Sequence, residues 1–128
     1  MATEKEKMLR GELYRVNSEL FQEMTRARHL QRKFNDFIMC DADAKAVLKE
    51  LLGSLGEDVA IRAPFRCDYG YNIHIADGVF MNFNCVLLDV CEIRIGARTM
   101  FGPNVPGLLN QKDFRPSSES RSSRALIG

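Results

Sequence analysis

The sequence IRAPFRCDYGYNIHIADGVFMNFNCVLLDVCEIRIGARTMFGPNV, residues 61–105, repeats apolar residues at intervals of six. One series is Ile61, Cys67, Ile73, Val79, Cys85 and Cys91, and a second is Ala63, Tyr69, Ile75, Met81, Leu87 and Ile93. A period of six matches neither an α-helix nor an alternating β-strand. It is typical of a solenoid in which each hexad forms one short flat face and then turns, so it predicts a parallel β-helix.

The length of one coil follows from the size of the hexad. Three hexads would close a coil of about 18 residues, and residues one such coil apart would then stack at the spacing of neighbouring strands, about 4.8 Å. The stacked pairs expected on this basis are Cys67 with Cys85, Ile73 with Cys91, and Tyr69 with Leu87. Small residues such as Cys and Val are expected to point inwards, because a triangular coil has a narrow interior.

Residues 1–56 precede the repeat and predict a helical segment. Apolar residues spaced by three and four over residues 20–34 indicate an amphipathic helix, for which Asn17 or Ser18 is the expected cap. A further helix is expected after Asp41 or Asp43. The charged runs EKEK and RARHLQRK are interpreted as solvated helix faces. Since the end of a solenoid needs a cap, this segment is expected to close one end of the stack.

Composition and charge restrict the classes of partner. The chain has 128 residues, of which 45% are hydrophobic and 27% charged, and its net charge is +1. These values give no reason to expect nucleic acid or a membrane as a partner. The N-terminus MATEKEKMLRGEL lacks the apolar core of a signal peptide, so a cytoplasmic location is expected. The four cysteines form no C-x-x-C pair, and we expect reduced thiols and no metal site.

Several blocks of the sequence resemble one family. EKEKMLRGELY, RARHLQRKFN, FRCDYGYNIHI, NFNCVLLDV and IRIGARTMFGPNV, found in order over residues 4–105, resemble the maltose and galactoside O-acetyltransferases, which are hexapeptide-repeat acyltransferases. The resemblance implies a left-handed β-helix and a homotrimer with active sites between subunits. It also implies acetyl-CoA as co-substrate, a sugar hydroxyl as acceptor and no metal.

The resemblance also implies substrate-binding residues. Asn82 matches an asparagine near the reacting centre, where its amide can bond the acceptor or the catalytic histidine. Phe80 stands where some members have a tyrosine that contacts the sugar, and Asp68 and Asp89 match acceptor-side positions. A second interpretation is that Asn82 and its neighbour Asn84 are corner residues that tolerate left-handed backbone, with Asp89 a surface carboxylate. No residue is assigned to cofactor binding.

The catalytic base is expected to be absent. Transfer of an acetyl group needs a base to take the proton of the attacking hydroxyl, and histidine suits this at neutral pH. The family places its histidine just beyond the segment matching residues 102–105, which lands here on Gln111 and Lys112. No histidine follows His74, so no catalytic residue is assigned beyond a supporting role for Asn82. The family's acidic residue near Arg15 and Val16 is also missing.

These observations predict three parts and two functions. The parts are a helical segment at 1–56, an incomplete β-helix at 57–105, and a Ser/Arg-rich tail outside the family at 106–128, expected to be disordered. The first function is a sugar O-acetyltransferase by descent, truncated or frame-shifted before its histidine and therefore inactive or nearly so. The alternative is a non-catalytic module that joins a β-helix trimer. The sequence does not identify the sugar.

Overall fold

The protein is described by a computed structural model, which covers residues 1–104 and, beyond them, short strands at 106–107, 113–114 and 125–127. Three helices come first: α1 (Glu4–Leu9), α2 (Ser18–Asn35) and α3 (Ala42–Leu51). The strands follow: β1 (Ser54–Leu55), β2 (Ala60–Ile61), β3 (Phe65–Cys67), β4 (Ile73–Ile75), β5 (Phe80–Met81), β6 (Cys85–Leu87), β7 (Ile93–Ile95), β8 (Thr99–Phe101), β9 (Pro106–Gly107), β10 (Asp113–Phe114) and β11 (Ala125–Ile127). The predicted order of a helical segment before a β segment is confirmed.

Helices α2 and α3 begin after residues that the sequence predicts as caps. The side chain of Asn17 accepts a hydrogen bond of 3.0 Å from the Leu20 N–H at the start of α2. Asp41 accepts hydrogen bonds of 3.1 Å from the N–H groups of Asp43 and Ala44 at the start of α3. Each cap satisfies backbone donors that have no partner inside the helix, so the chain enters both helices at a defined residue.

The strands form three parallel sheets. Sheet A has the order β1-β4-β7-β10, sheet B the order β2-β5-β8-β11, and sheet C the order β3-β6-β9. Each sheet takes every third strand of the chain, and every pairing between neighbours is parallel. The chain therefore winds through the three sheets in turn, which is the predicted parallel β-helix.

The coil is longer than the three hexads expected of it. The partners across the first two coils are Phe65 with Cys85, Cys67 with Leu87, Ile73 with Ile93, and Ile61 with Met81. The members of each pair are separated in the sequence by three hexads and two further residues. The expected pairs of Cys67 with Cys85, Ile73 with Cys91, and Tyr69 with Leu87 are therefore wrong.

The two additional residues lie at one corner of the coil. Five residues, 68–72, join β3 to β4, whereas three, 82–84, join β5 to β6 and four, 76–79, join β4 to β5. A hexad has room for a three-residue strand and a three-residue turn, so the longer corner lengthens the coil. The same five-residue corner recurs one coil later at residues 88–92, which join β6 to β7.

The interior of the coil is filled by apolar side chains of several sizes. Cys67 and Val79 are buried, as expected for small residues, but Phe65, Met81 and Phe101 are also completely buried. No disulfide joins cysteines within the described residues, and burial raises the pKa of the Cys67 thiol. That thiol is therefore protonated at neutral pH and serves as a small apolar residue.

Helix α2 closes the open edge of sheet C through two side-chain amides. Gln31 accepts a hydrogen bond of 3.0 Å from the Cys67 N–H and donates one of 3.0 Å to the Cys67 carbonyl. Asn35, one helical turn further on, accepts from the Phe65 N–H at 2.9 Å and donates to the Phe65 carbonyl at 3.0 Å. The two amides take the place of a neighbouring strand, which leaves no bare edge at β3.

The strands β9, β10 and β11 lie in the segment 106–128, for which the sequence predicts disorder. They pair with β6, β7 and β8 respectively and continue all three sheets. The expected disorder does not hold at these strands, because their backbone groups satisfy the edge of the second coil. The rest of the predicted tail lies outside the described residues, and its boundary at residue 105 stays a prediction.

The amide pairs predict a measurable loss of stability when one is removed. Gln31→Met keeps the length of the side chain but leaves the Cys67 N–H and carbonyl without partners in a buried position. We expect the free energy of unfolding to fall by about 2–3 kcal/mol, measured by urea denaturation. Gln22→Met on the exposed side of α2 is the matched control and should change it by less than about 0.5 kcal/mol. Equal effects of the two substitutions would contradict the edge-closing role.

Candidate functional site

The corner at residues 68–72 is organised by one buried carboxylate from the next coil. Asp89 Oδ1 accepts hydrogen bonds from the N–H groups of Asp68 at 3.0 Å and Tyr69 at 2.9 Å. Asp89 Oδ2 accepts from the N–H groups of Gly70 at 2.7 Å and Asn72 at 3.2 Å. Four backbone donors that no strand could satisfy are thus paired with one side chain.

Asp89 is fully enclosed, with 0% of its surface exposed. Burial raises its pKa to about 6, and the backbone hydrogen bonds act in the opposite direction. Both of its oxygens are occupied by the corner, so the carboxylate cannot reach a sugar. The acceptor-side role that the resemblance implies for Asp89 is therefore corrected to a structural one, and so is the alternative of a surface carboxylate.

Asp68 belongs to the same corner but points to the outside of the coil. It is partly buried and lines a cleft against α2. Burial raises its pKa, and the positive charge of Arg28 lowers it in part. The Asp68 charge also contributes to a raised pKa of Tyr14, after the larger effect of burial. Unlike Asp89, the Asp68 carboxylate is open to a ligand.

Asn82 and Phe80 lie at a different corner, between sheets B and C. Asn82 is partly exposed, and its Oδ1 accepts a hydrogen bond of 2.9 Å from the Phe83 N–H. Asn84 has a φ of 62°, as the corner interpretation expects of it. The Nδ2 group of Asn82 has no hydrogen-bond partner among the described residues, so one amide donor faces outward. The corner interpretation therefore holds for Asn84, and the site role that the resemblance implies for Asn82 stays a prediction.

An arginine joins this second corner. The Arg62 guanidinium lies 5.2 Å from the ring centroid of Phe80 and 5.2 Å from that of Phe83. Such contacts hold the cation by attraction to the ring faces. Sequence reasoning missed Arg62 and Phe83. Arg62 precedes Asn82 by one full coil, so the correct coil length would have placed it here.

The four predicted residues therefore fall into two groups. Asp68 and Asp89 meet at the corner between sheets C and A, whereas Phe80 and Asn82 share the corner between sheets B and C. No hydrogen bond between the two groups is seen in the described part of the chain. The second corner thus combines the amide of Asn82 with the aromatic ring of Phe80 and the Arg62 cation that contacts it.

His74 makes two polar contacts within the described part of the chain. His74 Nδ1 lies 2.9 Å from Ser54 Oγ, and its Nε2 lies 4.0 Å from Glu92 Oε2, on the outer face of sheet A. Among the described residues, no group of His, Cys, Asp and Glu could hold a metal ion. No described helix is long and apolar enough to cross a membrane.

Comparison with known families gives one match to a family model. Residues 7–56 match the model described as the maltose acetyltransferase hexapeptide capping motif. This range covers all of α2 and α3, which close the first coil.

Relatives and solved structures extend the match. The chain is 42% identical over 128 residues to nodulation protein L of Rhizobium meliloti, a match covering 98% of this chain and 69% of that protein. It is 40% identical to a maltose O-acetyltransferase of Clostridium difficile, with a TM-score of 0.79 over 82% of this chain and 57% of the other. A hexapeptide-repeat acetyltransferase of Vibrio cholerae, solved with acetyl coenzyme A, is 36% identical with a TM-score of 0.73, covering 82% and 57%.

The match covers only part of the length of each relative. The chain spans between about half and two thirds of the proteins it matches. The match to nodulation protein L covers 98% of this chain, so it includes most of the segment beyond residue 105. The family resemblance is therefore longer than the range of 4–105 that the motifs indicate.

The Asp89 corner predicts a strong effect of a small substitution. Asp89→Asn replaces one acceptor oxygen by an amino group that faces backbone donors, so we expect the free energy of unfolding to fall by about 2–4 kcal/mol. Asp58→Asn is the matched control, because Asp58 is exposed with a φ of 56° that asparagine tolerates. Urea denaturation of both variants at pH 7 measures the difference. A loss no larger than that of the control would refute the corner role.

Proposed function

The chain belongs to the maltose and galactoside O-acetyltransferase family of hexapeptide-repeat acyltransferases, and on that premise we propose that it forms the acceptor side of a site that transfers an acetyl group from acetyl-CoA to a sugar hydroxyl. The hydroxyl oxygen attacks the thioester carbonyl, the carbon–sulfur bond breaks, and CoA leaves as the thiol. The hydroxyl proton passes through a base to the leaving sulfur. The sugar itself is not specified by the proposal.

The observation that carries this proposal is the corner at Asn82. Its outward amide donor can bond an acceptor oxygen or the oxyanion that develops on the thioester. Phe80 and Phe83 offer apolar ring surface in the same segment, and the Arg62 guanidinium contacts both rings. Asp68 remains a candidate acceptor-side carboxylate, whereas Asp89 supports the site only by holding the backbone.

The proposal includes the assembly that the family implies. We take the coil to be left-handed and the active unit to be a homotrimer with sites between subunits. In support, Asp68 and Asn82 lie at different corners of one coil, so two chains side by side could present both to one acceptor. The acetyl coenzyme A of the Vibrio cholerae structure supports that molecule as co-substrate. No described residue is assigned to it, and we place the protein in the cytoplasm.

The missing base limits the expected rate. The sequence has no histidine after His74, and Gln111 and Lys112, at the expected position of the base, lie outside the described residues. We therefore expect the chain as given to transfer acetyl groups slowly or not at all. The loss of one positioned base typically lowers the rate by about 10²–10⁴-fold.

Restoring a histidine tests the transfer chemistry. Gln111→His or Lys112→His should raise formation of the sugar ester by about 10²–10⁴-fold over the unchanged chain. The assay supplies acetyl-CoA with maltose, D-glucose or methyl β-D-galactoside and quantifies the acetylated sugar by mass spectrometry. Adding Asn82→Ala to the active histidine variant should lower the rate again by about tenfold or more, because an amide donor to the reacting centre is lost.

Gln22→His, on the exposed side of α2, is the control and should leave the rate unchanged. An unchanged chain as fast as both histidine variants would show that the base is not missing. Absence of any sugar ester from every variant would count against the proposed function itself.

The assembly has a separate test. Native mass spectrometry of the full chain should give a species of three times the 14.6 kDa of one chain. The reason is that an intersubunit site requires neighbouring chains. A monomer at micromolar concentration would remove that site, whereas a trimer without transfer activity in any histidine variant would favour a non-catalytic assembly module.

A further inference from the structure

A basic cleft lies between α2 and the outer face of sheet C. Its volume is about 510 Å³, within the range of small-molecule sites. Three arginines line it: Arg28 and Arg32 from α2, and Arg66 from β3. None of the three forms an ion pair with a carboxylate of the described residues. The cleft therefore has three positive charges against the two carboxylates of Asp36 and Asp68, of which Asp68 interacts electrostatically with Arg28.

The backbone segments that carry the three arginines are held against each other. Gln31 lies between Arg28 and Arg32 in sequence and is bonded twice to the backbone of Cys67, the neighbour of Arg66. Asn35 repeats this one turn later with Phe65, on the other side of Arg66. The helix therefore cannot slide along the sheet without breaking four hydrogen bonds, so the spacing between the arginine backbones of α2 and β3 is set before any ligand binds.

The cleft also contains hydroxyl-binding groups. Asp68 and Asp36 line it beside the arginines, and each carboxylate can accept hydrogen bonds from sugar hydroxyls. Arginine binds the planar or tetrahedral oxyanions of carboxylates and phosphates with paired donors. Three guanidinium groups exceed what two carboxylates can neutralise, so the lining favours a ligand that carries a negative charge of its own.

We propose that this cleft binds an anionic saccharide, whose carboxylate or phosphate lies on Arg28, Arg32 and Arg66 and whose hydroxyls lie on Asp68 and Asp36. The identification of this saccharide as the acetyl acceptor rests on the proposed function, because Asp68 is shared with the proposed acceptor side. The helix face RARHLQRK, interpreted from the sequence as merely solvated, then includes part of a binding site. The sequence did not indicate this because Arg66 approaches from a strand that follows α3, well separated from α2 along the chain.

Direct binding tests the cleft without requiring catalysis. Isothermal titration of the full chain at low ionic strength compares D-glucuronate and D-glucose 6-phosphate with D-glucose and with inorganic phosphate. We expect one or both anionic sugars to bind more tightly than D-glucose and than phosphate, by about tenfold or more. The ratio of the two anionic sugars then distinguishes a carboxylate from a phosphate as the preferred group.

Variants assign the binding to the cleft. Arg32→Gln and Arg66→Gln should each weaken binding of the preferred anionic sugar by about tenfold, because each removes a charged pair of donors. Lys33→Gln is the matched control, since it removes one positive charge from the same helix but lies outside the cleft, and it should change binding by less than about twofold. The unfolding curves of all three variants confirm that they remain folded.

Three results would overturn the proposal: D-glucose binding as tightly as the anionic sugars, inorganic phosphate binding as tightly as D-glucose 6-phosphate, or Lys33→Gln weakening binding as much as Arg66→Gln. Binding that depends on the cleft, in a chain whose histidine variants acetylate no sugar, would support the cleft and count against the proposed function. The two proposals can therefore fail separately.

Discussion

The carboxylate of Asp89 holds the corner on which the coils stack. A parallel β-helix satisfies its backbone along the strands, but a five-residue corner leaves N–H groups that no strand can reach. Asp89 accepts four of them, from Asp68, Tyr69, Gly70 and Asn72, with one side chain from the coil above. Gly70 has a φ of 89° there, and a Cβ at that position would lie 2.5 Å from the Leu51 carbonyl oxygen, so the corner also sets how closely α3 approaches.

The helical segment covers the open end of the solenoid, where strand backbone groups would otherwise lack partners. Strand β3 has no strand beneath it in sheet C, and the amides of Gln31 and Asn35 pair with its backbone as a strand would. A helix presents residues four apart on one face, whereas a strand presents residues two apart, and the two spacings of about 6 Å and about 7 Å are close enough for both amides to bond. The same docking brings two arginines of α2 beside Arg66 of β3. The basic cleft is thus a consequence of the way the end is closed.

The polar side chains at the two corners differ in whether they bond the backbone or remain open to a ligand. Asp89 resembles a functional carboxylate in the sequence, yet all of its bonding capacity is used on the backbone, and its neighbour Asp68 is the carboxylate open to a ligand. At the other corner, the side-chain oxygen of Asn82 accepts a hydrogen bond within a turn, and its amide donor points outward. One family motif therefore contains polar side chains that bond the backbone and others with polar atoms open to solvent, and their hydrogen bonds distinguish the two.

The sequence alone was sufficient to predict the parallel β-helix, the helical segment before it and the helix caps at Asn17 and Asp41, because apolar periodicity and capping are local patterns. It was also sufficient for the family, through the motifs around residues 67–90. The sequence predicted a coil of three hexads, which is two residues too short, because two residues inserted at a corner leave the hexad series nearly intact.

The tertiary structure alone decided that Asp89 is buried, that Arg62 contacts Phe80, and that Arg66 lines the same cleft as Arg28 and Arg32. These are contacts between residues far apart in the sequence, and which of them form depends on the register of the coils and the docking of α2, neither of which is a local property of the chain.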